Sequence, residues 1–211
     1  MKKQSKIKTE WSSDFAYSIG VIATDGNLSP NKRSINITSK DIEMIKNIKS
    51  CLKINNRIGV KNSGTVKDKI YHVIQFGDKN FYDFLNEIGI TANKSKTIGS
   101  LNIPRKFFSD FLRGCFDGDG NFSVSIHPES KIPQLRIRLC SASLNFVNWI
   151  KTKIKGILKI NNGWIYTNKS SSMHILSYGK EDAGKILKFM YYNGVKHYLS
   201  RKYKIAKNFV R

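Results

Sequence analysis

The sequence predicts an α+β protein made of two pseudo-twofold-related repeats, each running helix, two strands, helix, two strands, helix (αββαββα). Three observations predict it: the chain repeats itself at a nearly constant offset, strand-like segments alternate polar and apolar residues, and the segments between them space apolar residues as a helix does. "LKINN" stands at 52–56 and again at 158–162. "YHVIQFGDKNFYDFLNEIGI" parallels "MHILSYGKEDAGKILKFMYYNGV", matching His72 with His174 and Gly77 with Gly179 at an offset of 102 (174 − 72, 179 − 77). "INITSKDIEMIKNIKS" over "IRLCSASLNFVNWIKT" sets Ser39 on Ser141 at the same offset. Each copy starts differently spaced: "FAYSIGVIATDGN" at 15–27 parallels "FLRGCFDGDGN" at 111–121, with Gly20 over Gly114 and Asp25 over Asp119 (119 − 25 = 94). The change of offset places about eight extra residues in the second copy, at "HPESKIPQ", a Pro-containing hairpin tip of the kind that tolerates insertion.

The elements follow in order. Residues 12–24 and 106–118 are apolar enough for helices, and each ends in Asp-Gly, where Gly26 and Gly120 are expected in the left-handed conformation that closes helices. "RSINIT" and "QLRIRLC" alternate as strands of a sheet with one wet face. "IEMIKNIKSCL" and "LNFVNWIKTKIKGIL" have helical spacing, followed by strands "IYHVIQF" and "SMHILSY" and by helices beginning near Asp78 and Lys180. A basic helix, "YLSRKYKIAKNFV", comes last. This gives a first repeat at 11–98, a linker at 99–105 ("GSLNIPR") and a second repeat at 106–211. So short a linker is expected to hold the halves in one body.

Charge bounds the partner. The 211 residues carry 37 Lys+Arg against 15 Asp+Glu, a net +22 with a pI near 10.0, which suits a polyphosphate whose condensed counterions are released on binding. An anionic membrane surface fits worse, because no stretch joins a basic face to a strongly apolar one. No apolar run of membrane-spanning length appears and "MKKQSKIKTEWSS" lacks the apolar segment of a signal peptide, so a soluble intracellular protein is expected, in a bacterial cytoplasm or an organelle. Cys51, Cys115 and Cys140 are odd in number and far apart, which argues against a disulfide framework. His72, His127, His174 and His197 show no close metal spacing and are read as structural or surface residues. A calcium loop at Asp117, Asp119 and Asn121 fails, since Phe122 stands where a Gly is needed and Pro128 where a bidentate Glu is.

On the wet faces the strands carry Lys32, Arg33, Asn36 and Thr38 in the first repeat, and Gln134, Arg136 and Arg138 in the second. Long basic and amide side chains in such a row reach phosphates and base edges. Asp25 and Asp119 raise a different question, because the end of a helix already presents partial negative charge and an anion there asks for a cation. If the two repeat-starting helices pack side by side through Gly20 and Gly114, the two carboxylates arrive together, and a divalent metal would relieve their repulsion and build a centre for phosphodiester hydrolysis.

With "FLRGCFDGDGN" preceded by "NKSKTIGSLNIPRKFFSDF", the chain resembles the LAGLIDADG homing endonucleases in their single-chain, two-motif form, over nearly its whole length from about Trp11. The resemblance implies a central interface of motif helices, with the sheets forming a β-saddle over double-stranded DNA, in a monomer. It implies metal binding by Asp25 and Asp119 with the backbone carbonyls of Thr24 and Gly118, using Mg2+, with Mn2+ able to substitute and Ca2+ supporting binding without cleavage. Basic residues near the metals are implied in "NKSKTI" and "SRKYKI": Lys94 and Lys202 are preferred, with Lys96 a rival to Lys94. Where many relatives have Gln after the second strand, this chain has Ser39 and Ser141, which are counted with the DNA-binding residues. The first motif has Ala23 where an acid is common, and Asp117 fills that place only in the second, an asymmetry that predicts unequal cleavage of the two strands. The competing functions on this scaffold are an RNA maturase acting on intron RNA and a DNA-binding regulator that does not cut.

Overall fold

The structure, a computed structural model, describes residues 6–62, 70–126, 128–129, 131–168 and 170–210; His127 falls outside them. In chain order the elements are α1 (Ser13–Asp25), β1 (Gly26–Leu28), β2 (Ser34–Ser39), α2 (Ile42–Cys51), β3 (Ile58–Asn62), β4 (Ile70–Gly77), α3 (Lys79–Glu87), a 3-10 turn (Arg105–Phe107), α4 (Phe108–Asp119), β5 (Gly120–Ile126), β6 (Pro133–Ser141), α5 (Leu144–Leu158), β7 (Trp164–Asn168), β8 (Met173–Gly179), α6 (Lys180–Met190) and α7 (Ser200–Ala206). The αββαββα order therefore occurs twice. Each repeat contributes one antiparallel four-stranded sheet, ordered β1-β2-β4-β3 and β5-β6-β8-β7. Compact units divide the chain elsewhere than the repeats do: one holds residues 1–94 and 101–118, the other 95–100 and 119–211. The second repeat's opening helix thus packs in the first unit.

In the first unit, α1 starts at Ser12, whose hydroxyl accepts from the Phe15 N–H (3.1 Å), and its residues Phe15–Ala23 are all buried. α2 buries Met44, Ile45, Ile48 and Cys51, the three-and-four spacing of an amphipathic helix. α3 is capped by Asp78, whose second carboxylate oxygen also accepts from the N–H groups of Lys6 and Ile7 (2.6 and 2.9 Å) and so ties the chain's start to this helix. β2 alternates strictly, with Ile35, Ile37 and Ser39 inward and Ser34, Asn36 and Thr38 half-exposed. Trp11, Phe15, Phe81, Phe84 and Phe107 form an aromatic cluster at the core's edge.

The second unit repeats the scheme. α5 is capped by Ser143, buries Phe146, Val147, Trp149, Ile150 and Ile154, and ends on Lys159 in the left-handed region (φ 58°). α6 buries Ala183, Ile186, Leu187 and Met190. The first hairpin pairs Gly26 with Ile37 and its counterpart pairs Gly120 with Leu139, so the later hairpin is longer by the eight inserted residues (139 − 120 against 37 − 26). One sequence expectation is overturned. Gly26 is extended (φ −77°, ψ 140°), and Gly120 is not among the described glycines with positive φ, which are Gly89, Gly163 and Gly194. The motif helices do not stop in a left-handed cap because the chain passes straight into β1 and β5. Gly26 is small for another reason: a Cβ there would stand 2.6 Å from the Ile22 carbonyl oxygen.

Candidate functional site

The carbonyls at the end of α1 have no partners within the helix and carry its partial negative charge, and Asp25 adds a carboxylate there. Asp25 is half-buried, with the Thr24 hydroxyl 2.8 Å from its Oδ2. Lys94, 6 % exposed, reaches the same place: its ammonium donates to the Gly26 carbonyl (2.6 Å) and approaches that of Thr24 (3.5 Å). Part of the cation that the helix end asks for is therefore supplied by the chain itself. Gly118 presses against the cluster so closely that a Cβ would lie 2.1 Å from both Asp25 Oδ2 and Thr24 Oγ1, an approach only glycine permits. Carboxylate and carbonyl oxygens suit a hard divalent cation such as magnesium or manganese.

The second unit carries the matching acid and lysine. Asp119, exposed, follows Gly118 and ends the second motif helix, and Lys202 in α7 is 4 % exposed. Both act on Cys140 of β6: burial first pushes the Cys140 thiol up, Asp119 adds to that, and Arg138 and Lys202 oppose it. Acid and buried lysine thus lie within electrostatic reach of one strand. Lys96 and Lys204 are exposed, so of the lysines offered by the sequence it is Lys94 and Lys202 that turn inward.

The open sheet faces hold most of the residues expected to meet nucleic acid. Lys32, in a left-handed turn (φ 55°), and Arg33 are exposed at the first hairpin, and Asn36 and Thr38 follow in the half-exposed row of β2. Asn36 pairs across to Asn27 and Gln75. In the second sheet Gln134, Arg136 and Arg138 line the open row of β6, opposite Ser125, Ser123 and Asn121. Ser39 and Ser141 are not brought onto these faces. They occupy the buried rows, and each hydroxyl accepts from the backbone N–H two residues on, Asp41 and Ser143 (both 3.1 Å), turning strand into helix.

Three features were not singled out in the sequence. Trp164 and Tyr166 on β7 stand on the open face, 48 % and 58 % exposed, with the Arg136 guanidinium 5.7 Å from the Trp164 ring; the alternation in "WIYTN" is their sequence signal. Lys40 lies over Tyr71 on the first sheet at 5.6 Å. Between α1 and α4 the close approach expected at Gly20 and Gly114 is present, since a Cβ on either would stand 2.1–2.2 Å from a carbonyl of the other helix. Beside that contact runs a buried polar chain: Asp110 pairs with Arg113 (2.7 Å), Arg113 lies over the Tyr17 ring (5.5 Å), and the Tyr17 hydroxyl donates to Asp117 (2.9 Å). Burial, then Asp117, pushes the Tyr17 phenol well up. Asp117, 1 % exposed, is thus held inside the helix pair.

Comparison with known proteins adds a family match over part of the chain and a likeness of fold over nearly all of it. Residues 13–89 match the model of the LAGLIDADG-like domain. No curated protein matches the chain. Among solved structures, I-DmoI in complex with DNA and Ca superposes with TM-score 0.61 at 12 % identity, covering 92 % of this chain and 97 % of that one; an I-DmoI complex with DNA and Mn is also similar. I-GzeII, a LAGLIDADG homing endonuclease in complex with its DNA target, gives 0.57 at 17 %, covering 95 % and 89 %. Full-length DUF199/WhiA from Thermatoga maritima gives 0.60 at 17 %, covering 99 % of this chain and 64 % of that one, so the chain spans about two thirds of its length. At these identities the likeness is one of fold. Among the described residues, no helix is long and apolar enough to cross a membrane.

Proposed function

We propose that this chain, whose residues 13–89 match the LAGLIDADG-like domain and whose two-repeat fold superposes on that of I-DmoI, is a site-specific, metal-dependent DNA endonuclease that makes a double-strand break, acting in the homing of a mobile intron. The observation that carries the reading is that each unit holds a buried lysine near a motif-helix acid: Lys94 donates to the Gly26 carbonyl next to Asp25, and Lys202 acts with Asp119 on Cys140. A protein that only binds a polyanion gains nothing from an acid on its basic surface, since it repels phosphate.

In this reading Asp25, Asp119 and the carbonyls of Thr24 and Gly118 hold divalent metal. Mg2+ held there, or Mn2+ in its place, would supply polarisation of the scissile phosphate and a water of lowered pKa, and Ca2+ would support binding without cleavage. The chain's own residues do the rest. Lys94 and Lys202, fixed by burial, offset charge that develops on the phosphate as the water oxygen bonds to phosphorus and the bond to the 3′ oxygen breaks. Lys32, Arg33, Asn36 and Thr38, with Gln134, Arg136 and Arg138, hold the duplex by its phosphates and base edges. The protein acts as a monomer on double-stranded DNA.

Incubating the protein with a plasmid that carries the candidate insertion site and Mg2+ should yield linear product. Tight binding of that site with no cutting in Mg2+ or Mn2+ would replace this reading with a non-cleaving DNA regulator. Preferential binding and splicing of intron RNA would replace it with a maturase. The WhiA fold match, as good as that to I-DmoI, makes this test decisive where fold is not.

A further inference from the structure

At one end of the second sheet's open face lies a cavity of about 410 Å³, within the size range of sites that hold small organic groups. Ser125, Gln134, Arg136 and Trp164 line it, and Glu181 and Asp182 at the start of α6 border it. We propose that it is a pocket for one unpaired nucleobase of the bound nucleic acid, which deepens the DNA-binding reading and rests on it.

Four features point to a base. The Trp164 indole, half exposed on β7, offers a stacking surface that is already held beside the Arg136 guanidinium. Gln134 and Ser125 are adjacent across the β5–β6 pair and present both donors and acceptors, as a base edge requires. The carboxylates at the border, next to Lys180, suit the exocyclic amines of a base, and Asp182 accepts from the Asn162 amide (3.0 Å) and lies 3.8 Å from Lys185. Tyr178 also borders the cavity; it is 1 % exposed and its hydroxyl has no hydrogen-bond partner among the described residues. Its ring lies so close to Gly163 (φ 131°) that a Cβ there would stand 2.4 Å from it, so only glycine fits behind this wall. Arg136 lines the cavity and shares the open row of β6 with Arg138, so a strand held by those two cations would run past it.

The test compares a labelled duplex with the same duplex carrying one unpaired nucleotide, by fluorescence anisotropy. The wild type should bind the second more tightly, on the order of tenfold, the worth of one base stacked on an aromatic ring. Trp164→Ala should bring the ratio of the two affinities close to one, while Trp164→Phe, which keeps a stacking ring, should retain most of it; circular dichroism checks that both variants fold. Equal wild-type affinity for the two duplexes, or an undiminished ratio in Trp164→Ala, overturns the pocket and leaves the DNA-binding reading standing. Failure to bind either duplex at low salt overturns both.

Discussion

Asp25 and Asp119 are the residues on which the proposed chemistry turns, and each sits at a helix end that electrostatics alone would leave without an acid. Asp25→Asn or Asp119→Asn keeps the shape and removes the charge, so each should abolish double-strand cleavage while binding in Ca2+ persists. Comparable loss of binding in a gel-shift assay would make these residues structural. The sequence showed the acids clearly, because they recur in register in both repeats. It left the lysine unresolved, because Lys94 and Lys96 differ by two positions in a turn that no periodicity numbers. The two differ in burial: Lys94 is 6 % exposed and bonded to the Gly26 carbonyl, whereas Lys96 is exposed. Accordingly Lys94→Met should lower the single-turnover cleavage rate roughly hundredfold, the usual cost of removing one charge-stabilising donor, and Lys96→Met should change it little. The reverse order would return the role to Lys96.

At the scale of elements, α1 and α4 are joined by backbone contact, and a contact of this kind has no slack. Gly20→Ala puts a methyl 2.1 Å from the Phe111 carbonyl, and Gly114→Ala puts one 2.2 Å from that of Tyr17, where no side chain can swing aside. The helices must separate, which also disturbs the buried Asp110–Arg113 pair and the Tyr17–Asp117 bond beside them. Either change should cost about 3 kcal/mol, the upper end for overpacking, read as a lowered denaturant midpoint. A loss below about 0.5 kcal/mol would show that the contact yields more easily than its geometry implies. Element identity was largely legible: α5 was expected at 144–158 and forms there, and the eight-residue insertion reappears in the register of the second hairpin. What the sequence misjudged was how the motif helices end. Asp-Gly reads as a local stop, but the strand pairing of Gly26 with Ile37 and of Gly120 with Leu139 outweighs local preference and keeps both glycines extended. The same limit hid Arg113, the largest of the fully buried side chains, because only tertiary contact reveals that its charge is matched inside.

For the whole molecule, charge and burial act on different observables. If the proposed function holds, the net +22 should make duplex affinity fall steeply with salt, with log Kd rising by about 0.9 per phosphate neutralised for each tenfold rise in salt; a flat dependence would remove the polyanion argument altogether. Stability responds instead to alkali. Burial, with Asp14 adding to it, pushes the Cys51 thiol from its ordinary 9.0 up to about 12, and Tyr17 shifts in the same direction. In the unfolded chain that thiol ionises near pH 9, while in the folded protein it keeps its proton until about pH 12. Between those values the folded state holds the extra proton, so its stability is full below about pH 9 and falls as pH rises through the window, by an amount on the order of a few kcal/mol. Loss of lysine charge over the same range relieves self-repulsion and works the other way, so the bulk melting temperature mixes the two effects. Cys51→Ala separates them, because it removes the thiol and leaves every lysine in place. The stability difference between wild type and variant should be constant to about pH 9 and then shift steadily in favour of the variant, and a difference independent of pH would show that Cys51 ionises alike in the folded and unfolded chain.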